Sequence, residues 1–122
     1  MKPTIRVPYF EVGTKNYVYG DTLLEYAIAA DKAAEKYDID VLFICSPIEI
    51  RRVCENTKNL IVLAPYMDTL RPGRGMADIL PEGLRAAGAA SGIMNAADPL
   101  AMIDEMIAAT RRAADDLKKM EG

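Results

Sequence analysis

The sequence contains no histidine and only two cysteines, Cys45 and Cys54. It therefore offers neither the mixed Cys/His ligands of a zinc site nor a Cys–His nucleophile. Each cysteine stands alone within an apolar pattern, which predicts a buried, reduced thiol. We expect no metal and no cofactor.

Long apolar runs and dense basic stretches are also lacking. The longest apolar runs, residues 41–45 and 60–64, are far shorter than the roughly 20 residues that cross a bilayer. The first residues show no apolar signal segment, so we expect a soluble, cytoplasmic protein without membrane contact. The net charge of −3 gives little reason to expect a nucleic-acid partner.

The composition is that of a folded globular protein. Of the 122 residues, 51% are hydrophobic and 27% are charged, which argues against extended disorder. This length predicts a single domain over residues 1–122. It is far below the roughly 250 residues of an eight-unit barrel.

The first half of the sequence alternates strand and helix patterns. Residues 5–12 are rich in β-branched and aromatic side chains and predict a strand. Asp21 is the predicted N-cap of a helix over residues 22–37. Residues 41–45 are apolar on both alternating faces, which is typical of a strand buried on two sides in a parallel sheet. The helix predicted over residues 22–37 has apolar residues on one face, at offsets of four, seven and eleven from the first of them. They are Leu23, Ala27, Ala30 and Ala34.

The second half continues the alternation less regularly. Ser46, Pro47 and Glu49 predict a capped helix start, and residues 60–64 predict another strand. A loop over residues 65–75 follows. Met76, Ile79, Leu80 and Leu84 then fit a helix face ending near Gly88, with a kink or restart at Pro81. Residues 89–94 form a weak fourth strand pattern, and residues 98–119 predict a long final helix.

The alternation predicts an α/β fold with parallel strands and right-handed crossovers. Loops at the carboxyl ends of parallel strands form the usual functional edge of such sheets. An open flavodoxin-like sheet with unrelated ligand binding also fits the count of four units.

Four segments resemble triosephosphate isomerase, in the short variant found in archaea and some anaerobic bacteria. Residues 8–15, 46–56 and 64–75 resemble its first three βα units, whereas residues 90–99 and the helix after them resemble its eighth and last unit. The resemblance implies a (βα)₄ half of a TIM-type barrel with parallel strands, which self-association would complete.

The resemblance also implies a reaction, the glycolytic interconversion of dihydroxyacetone phosphate and glyceraldehyde 3-phosphate. That family uses a glutamate as base and a neutral histidine as electrophile. No part of this sequence resembles the segments that carry this glutamate and this histidine. Their absence predicts a catalytically incomplete protein that at most binds a phosphorylated metabolite weakly. The alternative is a non-catalytic, self-associating half-barrel scaffold.

Three sets of residues match functional positions of that family. Lys15 falls at its catalytic, substrate-binding lysine, although Gly13 replaces a usual asparagine. The backbone amides of Ala90, Ser91 and Gly92 match its substrate phosphate site. The loop residues Arg71, Gly73, Arg74 and Gly75 match its dimer loop, which predicts a homodimer.

Each set also has a simpler interpretation. Without the resemblance, Lys15 is a solvated loop lysine, residues 90–92 are a close-packed turn, and residues 71–75 are an exposed turn kept soluble by arginines. We expect Glu49 to cap its helix and Glu11 to pair with Lys15 or Arg6. Neither glutamate is assigned a catalytic role.

Overall fold

The computed structural model describes residues 5–92, 108, 111–116 and 118–119. Four strands alternate with helices along this part of the chain. The strands are β1 (Tyr9–Gly13), β2 (Asp40–Ile44), β3 (Leu60–Ala64) and β4 (Ser91–Gly92). The helices are α1 (Gly20–Tyr37), α2 (Pro47–Asn56) and α3 (Pro81–Ala87).

The four strands form one parallel sheet in the order β1-β2-β3-β4. Sequence order and spatial order coincide, as they do around a βα barrel, and each strand is joined to its neighbour by a helical crossover. This arrangement confirms the predicted α/β class with parallel strands. The carboxyl ends of all four strands lie along one rim of the sheet.

The core lies between the sheet and the helices. Phe43 and Val62 point from the sheet toward Leu23 of α1 and Ile50 of α2, and all four are buried. Leu42 and Ile61 occupy the alternate positions and are buried as well. The uninterrupted apolar runs over residues 41–44 of β2 and 60–64 of β3 therefore reflect burial on both faces.

The first strand begins later than predicted, at Tyr9 rather than residue 5. The preceding segment is held at the opposite rim by Asp40, which is fully buried. Asp40 accepts the backbone N–H of Arg6 at 2.6 Å and its guanidinium at 2.9 Å. The hydrogen bond to Asp40 is the largest cause of the raised pKa of Arg6, and the hydrogen bond to Asp38 is the next largest. Arg6 thus pairs with aspartates rather than with Glu11, because Asp40 offers a buried carboxylate.

The start of α1 differs from the prediction. The helix begins at Gly20, its N-cap residue is Tyr19, and no side chain caps it. Asp21 lies in the first turn, where its carboxylate binds Arg52 of α2 at 2.6 Å. Gly20 adopts a positive φ of 61°, a conformation that glycine tolerates, so the helix starts there.

The third helix begins at Pro81. Of the two predicted alternatives, a kink or a restart of the helix at this proline, the restart is confirmed. Met76 is 97% exposed and α3 includes neither Met76 nor Ile79, so the predicted helix over these residues is wrong, although Ile79 packs against the core as expected. Residues 65–80 form an irregular loop whose base is closed by Asp68. Asp68 donates its backbone N–H to Ile79 O at 2.8 Å and accepts the Ile79 N–H on its carboxylate at 2.7 Å.

The last unit is described in part. Ser91 and Gly92 pair with Leu63 and Ala64 of β3, which confirms a short fourth strand there. Residues 108, 111–116 and 118–119 are helical, in agreement with the predicted final helix, and the rest of that prediction lies outside the described residues. A search of the described residues finds no helix long and apolar enough to span a membrane.

Candidate functional site

A cavity of about 540 Å³ opens at the carboxyl rim of the sheet, where β1, β2 and β3 end. The residues around it directly follow these strands or complete them. They are Gly13, Lys15, Asn16, Ile44, Cys45, Ser46, Pro47, Pro65 and Tyr66. The volume lies within the range of about 300–1,000 Å³ typical of small-molecule sites.

Lys15 stands over the end of β1. The preceding residue, Thr14, is buried and donates both its backbone N–H and its hydroxyl to Ile44 O, at 3.1 and 3.3 Å. Lys15 itself has a φ of 53°, which is uncommon for a residue with a side chain. A Cβ built on Gly13 would lie 4.0 Å from Lys15 Nζ, so the ammonium folds back over the strand end.

The lysine carries an available positive charge. Within the described residues, the ammonium of Lys15 takes part in no ion pair or hydrogen bond, whereas Arg6, Arg52 and Arg112 are each bound to carboxylates. An ammonium on the wall of a cavity attracts an anionic ligand group.

Glu49 holds the loop that carries Lys15. Its buried carboxylate accepts the backbone N–H of Gly20 at 2.9 Å and thereby ties the start of α1 to α2. The predicted capping box at Ser46 is therefore wrong in its bonding, since the Ser46 side chain makes no cap hydrogen bond. The orphan amide at Gly20 lacks a cap of its own, and the tertiary contact satisfies it.

Cys45 lies on the cavity wall but is a poor nucleophile. Burial is the main cause that raises the pKa of the Cys45 thiol to about 12, and the nearby Cys54 and Glu49 contribute to the same shift. Burial also raises the pKa of Cys54, which is only half-buried. The prediction of buried free thiols is confirmed for Cys45, and both thiols stay protonated at neutral pH.

The second predicted contact lies elsewhere on the rim. Ala90 donates its backbone N–H to Val62 O at 2.7 Å, so the sheet already uses that amide. Ser91 and Gly92 lie on β4, three strand spacings or about 14 Å from β1. The strand order thus separates these residues from Lys15 within one chain.

The predicted dimer loop is exposed, with Arg71, Gly73, Arg74 and Gly75 all open to solvent. Its base is tied to the final helix by Arg112, which donates to Glu82 Oε1 at 2.6 Å and to Leu70 O at 2.9 Å. The hydrogen bond from Arg112 lowers the pKa of Glu82, and Glu82 in turn raises that of Arg112.

Sequence reasoning missed Asn16 and Tyr66 as members of the site. A signal for both was available, since each closely follows the end of a predicted parallel strand and such positions meet at one rim. Among the described residues, no cluster of histidine, cysteine and carboxylate side chains could hold a metal ion.

The fold and the position of this cavity define a class of protein: an α/β half barrel whose candidate site lies at the carboxyl ends of parallel strands. No family model matches the sequence. The sequence is similar to triosephosphate isomerases. It is 27% identical to that of Sulfolobus acidocaldarius over 114 residues and 28% identical to that of Methanobacterium bryantii over 94 residues.

These matches include 92% and 77% of this chain but only 47% and 41% of the relatives, so the chain spans about half the length of the curated relatives it matches. The fold is similar to that of triosephosphate isomerase from Bartonella henselae. The TM-score is 0.64 at 19% identity, over 87% of this chain and 48% of that structure.

The assignment of the fourth unit to the family's eighth stays a prediction.

Proposed function

We propose that these 122 residues form a triosephosphate-isomerase-like half barrel that binds a small phosphorylated metabolite weakly at the carboxyl rim. The observation that carries this proposal is the position of Lys15, whose ammonium lies on the wall of a cavity of about 540 Å³. The Ser46 hydroxyl and the Asn16 amide on the same wall add hydrogen-bonding groups for phosphate oxygens.

Isomerisation is not part of the proposal. Moving a proton between two carbons needs a base near the carbon and an electrophile at the oxygen. The 122 residues contain no histidine, and none of the described residues that line the cavity carries a carboxylate. Lys15 alone would stabilise negative charge without removing a proton. We also propose a cytoplasmic location, where the two free thiols would stay reduced.

The test is a titration with glycerol phosphate, followed by backbone amide chemical shifts. We expect shifts around Gly13, Lys15 and Ser46 that disappear in Lys15→Met. The matched control is Lys58→Met, because Lys58 is an exposed lysine in the loop before β3, at the opposite rim. Equal binding by both variants would refute the proposal.

A coupled isomerase assay complements the titration. Protein purified from a host that lacks its own isomerase should show no turnover above background. Turnover that is lost in Lys15→Ala would instead show that the family's histidine and glutamate are dispensable here.

A second candidate function is self-association as a scaffold, and the bare edge of β1 favours it. Four of the five β1 residues are exposed and only Val12 is half-buried. Phe10 is 60% exposed although it occupies the face of the sheet that carries the helices, in register with Val41. An exposed apolar edge strand readily pairs with another chain.

A second copy is the partner that suits this edge. Placing β4 of one copy beside β1 of the other would close eight parallel strands into a barrel. It would also bring Ser91 and Gly92 of one copy next to Lys15 of the other, which the strand order forbids within one chain. The exposed Arg71 and Arg74 loop would lie free to reach across the same assembly.

One flank of α1 supports the same arrangement. Asp21 contacts α2, whereas Tyr26 stands five positions later, on the opposite side of the helix. Tyr26 and Tyr37 are 52% and 68% exposed and lie three turns apart on that free flank. These tyrosines and Phe10 are exposed apolar side chains that the final helix of a second copy would cover.

Sedimentation equilibrium tests this candidate. We expect a dimer for the unaltered protein and a monomer for Phe10→Glu. The control is Ile48→Glu, which places the same charge at an exposed apolar position on α2. A monomer at all concentrations in the unaltered protein, or no difference between the two variants, would exclude association through β1.

A further inference from the structure

The walls of the rim cavity are largely apolar. Ile44, Cys45, Pro47, Pro65 and Tyr66 contribute most of the lining. Lys15, Asn16 and Ser46 are the polar side chains among the lining residues. They cluster after β1 and β2, whereas the apolar wall continues toward β3.

A three-carbon phosphate is a poor match for such a cavity. Every carbon of a triose phosphate carries oxygen, and each of these oxygens loses a hydrogen bond to water when it meets an apolar wall. Its phosphate would engage Lys15, but proline and tyrosine side chains would face the rest of the molecule. A volume of about 540 Å³ also leaves room for a larger body.

We infer that this site takes an organic anion with a planar apolar ring, of the aryl phosphate class, with its anionic group at Lys15 and its ring against Tyr66 and Pro65. The inference rests on the proposed anion site and specifies its ligand. An aromatic ring gains by stacking on tyrosine and by leaving water for the proline walls.

Tyr66 is suited to this role. It directly follows Pro65 at the end of β3, so the strand and the proline restrict the direction of its backbone. The residue is 38% exposed and lines the cavity, so it is accessible to a ligand there. No other tyrosine lies on the described cavity wall.

Two probes, phenyl phosphate and glycerol phosphate, share a phosphate group, but only the first carries a ring. Titrating each of them and following the amide chemical shifts separates the contribution of the ring to the affinity from that of the phosphate. We expect phenyl phosphate to bind about 3- to 10-fold more tightly. Tyr66→Ala should remove that advantage, so that the two probes bind with similar affinity, whereas Lys15→Met should weaken both ligands. Tyr37→Ala removes an exposed tyrosine at the other end of α1 and should change neither affinity.

The outcomes distinguish this inference from the function on which it rests. Equal, Lys15-dependent affinities that ignore Tyr66→Ala would overturn the ring and leave the anion site standing. Phenyl phosphate binding that depends on Tyr66 but not on Lys15 would overturn the inference as apolar adsorption. Absence of Lys15-dependent binding by either probe would overturn the proposed function itself.

Discussion

Glu49 Oε1 accepts the backbone N–H of Gly20 across a distance of 2.9 Å. This single hydrogen bond joins the first turns of α1 and α2 behind the rim cavity. It fixes the far end of the loop that begins at Thr14 and carries Lys15. This hydrogen bond therefore supports both the stability of the fold and the position of Lys15 for ligand binding.

The first prediction concerns that support. Glu49→Ala removes the acceptor and leaves the Gly20 amide without its partner in a part-buried position, at a cost of about 1–3 kcal/mol in the free energy of unfolding. Glu49→Gln keeps a carbonyl oxygen and should cost less. Urea denaturation measures both values, and equal midpoints for the two variants would show that the hydrogen bond contributes nothing.

The second prediction compares two glycines of the same helix. A Cβ on Gly88 would lie 2.7 Å from Cys54 Sγ, and Gly88 has a φ of 112°. Gly88→Ala should therefore lower the free energy of unfolding by about 1–3 kcal/mol. A Cβ on Gly83, inside α3, would lie 3.9 Å from Leu80 Cβ, an ordinary contact, so Gly83→Ala should raise stability by about 0.5–1 kcal/mol. Thermal unfolding should rank the unaltered protein between the two variants.

The third prediction concerns acid stability. Arg112 lowers the pKa of Glu82 in the folded protein below its ordinary value of 4.5. The pair therefore adds stability at pH values above the unfolded-state pKa, and this contribution is lost as the pH falls through the folded-state pKa. Glu82→Gln should weaken the loss of stability between about pH 5 and about pH 3.

Urea denaturation across that pH range gives the comparison. Glu25→Gln, at an exposed position of α1, is the matched control and should retain the slope of the unaltered protein. Identical slopes in all three proteins would mean that the Arg112 contact is absent in solution.

The fourth prediction concerns thiol reactivity. With burial raising its pKa to about 12, Cys45 should react very slowly with iodoacetamide at neutral pH, and the half-buried Cys54 should react faster. Mass spectrometry of Cys54→Ser and Cys45→Ser separates the two rates. Rapid labelling of the folded Cys54→Ser protein would contradict the burial of Cys45.

The sequence predicted the elements that depend on local patterns. The boundaries of β3 were exact to the residue, and those of β2 differed by one, because strands buried on both faces give continuous apolar runs. Pro81 and Gly88 marked the two ends of α3 because a proline favours a helix start and a glycine with positive φ ends it.

The contacts that failed to follow from the sequence are between distant residues. Ser46 and Glu49 have the spacing of a capping box, but Gly20 competes for the same carboxylate from 29 positions away. Arg6 finds Asp40 rather than Glu11 for the same reason. At the site, Lys15 was predicted through a resemblance, whereas Tyr66 was missed although it closely follows the end of β3, where the residues of neighbouring strands meet at one rim.

The two rims of the sheet differ in how readily their residues can be substituted without loss of the fold. The Arg6–Asp40 contact clamps the chain at one rim, where a buried carboxylate limits the choice of neighbours. The other rim is built from separate loops after separate strands. New binding specificities can accordingly arise by substitution or insertion at the cavity rim, while the opposite rim conserves the architecture that supports them.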